Sequence, residues 1–130
     1  MSGSLTVNGL IKSNTASGGI GYATGAGGTI TQGTDKAHTV ILNTMSGAIT
    51  MNNAALNAGI LVQFTLTNSS IAAADMVLVI HSSAGTSGSY DVQANTVAAG
   101  SCVISVRNVT AGNLSEAIVL TFAIIKAVTA

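Results

Sequence analysis

At 130 residues the chain has room for one domain and one hydrophobic core, with no second domain of ordinary size. Hydrophobic residues make up 48% of it and charged residues only 6%, against roughly 25% charged in an average soluble domain. Four basic residues balance four acidic ones, which argues against nucleic acid, an anionic membrane or an acidic substrate as partner.

Most of the remainder is Ser, Thr, Asn and Gly. Such a surface is wetted by hydroxyls and amides, and with little charge repulsion free monomers are expected to associate. The mean hydropathy of +0.59 raises the question of a membrane. A spanning helix needs about 20 consecutive apolar residues, and every apolar run here is broken by a polar residue or glycine. The opening residues show no basic region followed by an apolar block, so no signal peptide is visible. The single cysteine, Cys102, excludes an internal disulfide and a cysteine-based zinc site. It lies in phase with Ile104 and Val106 and reads as a buried core thiol in a chain made in a reducing cytoplasm.

Taken in order, the chain opens on an isolated apolar cluster, Leu5, Val7, Leu10 and Ile11, before a Ser/Asn/Gly-rich stretch. It reads equally as an arm laid on another protein or as a short edge strand of its own domain. From Thr15 to Thr34 glycine is dense, but neither a dinucleotide-binding loop nor a P-loop pattern is present. Bulges, tight turns and close backbone approach are the expected uses. Short strands are expected over 39–42 and 48–51 with a turn at 43–47 between them, then one helical turn within 52–59. Ile60, Val62, Phe64 and Leu66 alternate with Leu61, Gln63, Thr65 and Thr67, as in a half-buried strand. Met76 to Ile80 is continuously apolar, and a long small-residue loop follows over 82–89. Tyr90, Val92 and Ala94 alternate with Asp91, Gln93 and Asn95. The strand around Cys102, Ile104 and Val106 comes next.

The last strand, 118–125, does not alternate. Ile118, Leu120, Phe122 and Ile124 line one face, and Val119, Thr121, Ala123 and Ile125 the other. A strand dry on both faces sits on a core on one side and under more protein on the other, so the second set is expected at a subunit interface. About eight to ten short strands with turns between them predict an all-β sandwich or jelly-roll-like single domain. Its bounds are read as 19–130, behind an N-terminal arm and linker over 1–18.

Asn68 and Asn108 each end a strand, and an acid, Asp75 or Glu116, then stands at the mouth of a long apolar strand. Asn bonding its own backbone two residues on would shape both turns. The acids read as charges that discourage edge pairing rather than as a catalytic pair. His38 and His81 are too few, and wrongly spaced, for a histidine metal site. No nucleophile elbow is present. Three Asn-x-Ser/Thr sequences, at Asn68, Asn108 and Asn113, read as accidents of composition. No catalytic residue, cofactor or metal is assigned, and an enzyme is not expected.

Four stretches, 21–32, 47–56, 64–68 and 108–117, resemble a domain of tailed-bacteriophage virion structural proteins, found at the C-termini of tail and tail-fibre proteins. The resemblance covers about 19–126 and consists of strand and turn patterns, silent on mechanism. It implies a virion protein. Because a fibre would carry a shaft ahead of its tip and only about 18 residues precede this domain, the expected form is a capsid decoration (cement) protein. It would form a homotrimer on the virion surface, anchored on the major capsid protein or another virion protein through Leu5, Val7, Leu10 and Ile11. Its trimer would be held by Val119, Thr121, Ala123 and Ile125. The second expectation is a tail-fibre receptor-binding tip, touching host surface glycans through Ser82, Ser83, Ser87, Asp91, Gln93 and Asn95.

Overall fold

A computed structural model describes residues 3–129, and the architecture is all-β with no helix among them. Eight strands form: β1 (Gly27–Thr31), β2 (Val40–Ile41), β3 (Ser46–Thr50), β4 (Leu61–Thr67), β5 (Met76–Ser83), β6 (Tyr90–Ala98), β7 (Ser101–Asn108) and β8 (Val119–Ile125). They build two four-stranded sheets, ordered β1-β3-β8-β5 and β2-β4-β7-β6. Each sheet has one parallel pair, β1 with β3 and β2 with β4, and is otherwise antiparallel.

The period-two pattern decides which side chains go inside. Ile118, Leu120, Phe122 and Ile124 from β8 and its approach are buried with Ile49 of β3 against Phe64, Leu66, Cys102, Ile104 and Val106 of β4 and β7. Among the described residues these form one core, between the two sheets. Cys102 lies within it, and burial pushes its thiol up to about 11.

Three sequence expectations change. The turn expected at 43–47 is shorter, because β3 already begins at Ser46, and it carries the chain from β2 in one sheet to β3 in the other. No helical turn forms within 52–59; instead Leu56 makes an isolated antiparallel bridge with Leu114, exchanging N–H···O bonds of 2.8 and 3.1 Å. The glycine-rich stretch is partly strand. Gly28 and Gly47 stand opposite each other in the β1–β3 register, and a Cβ on Gly47 would lie 2.7 Å from the Gly28 carbonyl oxygen and 2.8 Å from Leu42 Cδ2. That is close backbone approach, enforced by Leu42 packed across the pair.

The two Asn turns form as their chemistry requires. Asn68 Oδ1 accepts from the Ser70 N–H and Asn108 Oδ1 from the Thr110 N–H, each at 2.9 Å. Both residues are fully buried, and their amides donate onward to Thr44 O and to Leu56 and Gly112 O. Asn113 Oδ1 accepts from the Ala58 N–H. Asn68 and Asn108 are therefore turn-builders, and Asn113 ties its loop to the segment around Ala58.

Candidate functional site

The surface that stands out is the outer face of the sheet β1-β3-β8-β5. Its strands contain no Asp, Glu, Lys or Arg. The register pairs Met76 with Ile125, Leu78 with Ala123 and Ile80 with Thr121, and directly opposed residues share a face. On the other side of β8, Thr50, Ala48 and Ser46 oppose Val119, Thr121 and Ala123. The result is an uncharged face that is hydroxyl-rich toward β1 and apolar toward β5. Met76, Leu78, Ile80 and Ile125 remain 54, 50, 60 and 46% exposed. The alternate residues Val77 and Val79 turn inward and pack on the core.

The four residues expected at an interface, Val119, Thr121, Ala123 and Ile125, all lie on this outer face and are half-buried or exposed. The rest of the surface, contributed by β5, was not among the expected interface residues. The signal was present in the unbroken apolar run 76–80, which can be apolar on both faces only where the outer face is meant to be covered.

At the end of this face the chain entering the sandwich lies against it. Tyr22 donates its hydroxyl to the Ile124 carbonyl. Ile20, Tyr22, Met45, Ala123, Ile125 and Lys126 line an open apolar slot of about 580 Å³. Among the described residues N-terminal to this latch no strand forms. Leu5, Val7, Leu10 and Ile11 are exposed, Leu5 to 85% and Leu10 to 77%. The edge-strand alternative for this segment is therefore corrected: it pairs with neither sheet.

The loop between β5 and β6 is short, because β5 runs on through His81 to Ser83. It covers 84–89 and is held by one carboxylate. Glu116 accepts from the Thr86 hydroxyl at 2.6 Å, the Thr86 N–H at 3.0 Å and the Tyr90 hydroxyl at 2.7 Å. The Thr86 and Tyr90 hydrogen bonds hold its pKa below the usual carboxylate range. His81 Nε2 lies 2.6 Å from Ala84 O, which requires the proton on Nε2, and its ring meets Tyr90 edge-on at 5.4 Å. Ala84 and Gly85 both take left-handed backbone, φ 58° and 69°. A Cβ on Gly85 would come within 2.5 Å of Ile118 Cγ2, so only glycine fits.

No match was returned by comparison with protein-family models, with curated proteins or with solved structures.

The residues expected to meet a receptor are divided by the fold. Ser82 donates to Val119 O and accepts from Thr121 Oγ1, on the outer face of the first sheet. Ser82 also lines a shallow polar depression with Ser83, Ser87, His81, Ala84 and Gly85. Gln93 and Asn95 stand on the outer face of the second sheet, beside β7, where Gln63 and Asn95 both donate to the buried Ser105 hydroxyl. Asp91 opposes Arg107 in register at the loop end of that face.

The two acids expected to guard strand entrances act as clamps. Asp75 accepts from the Ala72 N–H at 2.7 Å and pairs with Lys126 at 2.7 Å, which together hold its pKa low. Lys36, buried by residue, donates to the carbonyls of Asn52 and Glu116, and its burial lowers its pKa. Among the described residues no group of His, Cys, Asp or Glu is arranged to hold a metal ion, and no helix is long and apolar enough to cross a membrane.

Proposed function

We propose that this chain is a structural protein of a tailed-bacteriophage virion: a decoration protein that associates with copies of itself as a trimer and attaches to the outer surface of the head. The observation that carries the assembly reading is the uncharged outer face of β5 and β8. Four large apolar side chains there stay half-open to water, with no ionic group among them. Contiguous exposed apolar surface of this kind marks interaction sites, since an isolated monomer gains nothing by it. The sequence resemblance supplies the setting.

The mechanism is mechanical. The β5–β8 face joins subunits, and the arm carrying Leu5, Val7, Leu10 and Ile11 lies in an apolar groove of the major capsid protein. Full burial of such side chains contributes roughly 1.5–3 kcal/mol each, while ordering the arm's backbone costs roughly 1–2 kcal/mol per residue. One arm holds weakly. Three arms on one trimer raise each other's effective concentration and clamp the shell.

A second reading, a receptor-binding tail-fibre tip, is favoured by one observation: the Glu116 clamp pre-organises the 84–89 loop, and loops fixed on a rigid sandwich commonly carry recognition. The test uses the full chain with purified heads lacking it, and with host cells. Decoration predicts saturable binding to heads and none to cells. Binding to cells or their surface glycans, without binding to heads, replaces it with the tip reading.

A further inference from the structure

The arm contains the only asparagine in the chain that is followed by glycine, Asn8-Gly9. Both residues are exposed, in a bend between Val7 and Leu10. An added Cβ at Gly9 would meet nothing within 4 Å. Neither the Asn8 amide nor the Gly9 N–H has a hydrogen-bond partner among the described residues. Six asparagines of the sandwich are placed differently, while the exposed Asn53 and Asn57 are each followed by alanine, whose Cβ screens the attacking nitrogen. Asn43, Asn52, Asn68, Asn95, Asn108 and Asn113 each have their side chain engaged in hydrogen bonds.

We infer that Asn8 is a site of spontaneous deamidation, which gives the arm a slow chemical clock. The Gly9 backbone nitrogen attacks Asn8 Cγ. A C–N bond forms, the side-chain nitrogen leaves as ammonia with the proton lost from the Gly9 nitrogen, and a five-membered succinimide remains. Water then opens either carbonyl of that ring, giving aspartate or, with the backbone rerouted through Cγ, isoaspartate. No oxidant, reductant or catalyst is needed. Glycine permits the step twice over: without a Cβ its nitrogen is unscreened, and its backbone tolerates the twist that brings nitrogen and Cγ together. Both products put a carboxylate amid the arm's four apolar side chains, where an apolar groove disfavours charge. This consequence for attachment rests on the reading of the arm as anchor; the modification itself does not.

The full-length protein is aged in warm, mildly alkaline buffer and its peptides are followed by mass spectrometry, with isoaspartate resolved from aspartate by chromatography. The expected result is that the peptide spanning residues 5–12 gains about one dalton first. The species with isoaspartate at position 8 should exceed that with aspartate, and Gly9→Ala should slow the conversion strongly. Conversion at other asparagines first, or an equal rate in Gly9→Ala, overturns the inference. Head-binding by Asn8→Asp separates the two readings. Loss of binding supports the clock as a control on attachment. Full binding by Asn8→Asp overturns that control, while loss of binding on removal of residues 2–13 tests the anchor reading by itself, and deamidation of the wild-type chain leaves the chemistry intact.

Discussion

At the scale of single residues, two positions hold more structure than their size implies. Gly47 sits where a methyl group would press on the Gly28 carbonyl and on Leu42. Gly47→Ala should therefore destabilise the fold by about 1–3 kcal/mol, the usual range for overpacking, read as a lowered denaturant midpoint with unchanged slope. Glu116 is the second. Its ordinary pKa of 4.5 is lowered in the folded state, as is the 3.8 of Asp75. Stabilisation from such groups is present above their unfolded values and lost as pH falls through the folded ones. Melting temperature should thus be flat near neutrality and fall once pH drops below about 4. Glu116→Gln leaves one acceptor oxygen for three donors. The variant should stay folded yet exchange the Thr86 amide hydrogen faster, as followed by NMR. The Asn turns were legible in the sequence because they are local: an Asx turn spans two residues and needs no knowledge of the rest of the fold. The Glu116 clamp was not, because Glu116 and Thr86 are 30 positions apart.

At the scale of elements, alternation predicted β4, β6 and β7 well, since each has one inner face and one polar outer face. It could not predict the pairing of β1 with β3 or of β2 with β4. Parallel partners need no tight turn between them and leave no local trace. The face of β8 away from the core was legible, but its extension across β5 was not, because register is a property of two strands. That register gives a sharp expectation. Leu78→Lys, opposite Ala123 at the centre of the face, should leave a folded monomer by sedimentation while the wild-type chain sediments as an oligomer. The change lies on an open face, so near-native circular dichroism is expected. A wild-type monomer at micromolar concentration would remove this face from consideration as an interface. Removing residues 2–13 should not move the melting temperature measurably, because residues 3–13 pair with neither sheet.

At the scale of the whole molecule, ionic contacts contribute little. Among the described residues one salt bridge forms, Lys126 with Asp75, and its lysine is half-exposed, a setting in which pairs are worth about 0–1 kcal/mol. An assembly held through the uncharged sheet face should accordingly keep its mass from low salt to high salt, where ion-paired interfaces weaken. Ultracentrifugation across that range checks it, and dissociation by salt would point instead to the few charged residues of the other sheet.

The place of β8 in the first sheet has a consequence for how the protein is made. Its neighbours there, β3 and β5, both precede it and do not touch each other, so neither β5 nor the β1–β3 pair belongs to a complete sheet until residues 119–125 have been synthesised. The other sheet has all its strands by Asn108. A nascent chain therefore carries half a sandwich whose inner face, Phe64, Leu66, Ile104 and Val106, has no lid. Such half-built β-structures are the species most prone to pair with the wrong neighbour. Slowing synthesis ahead of residues 119–125 should accordingly lower the yield of native protein, read as a rise in the insoluble fraction.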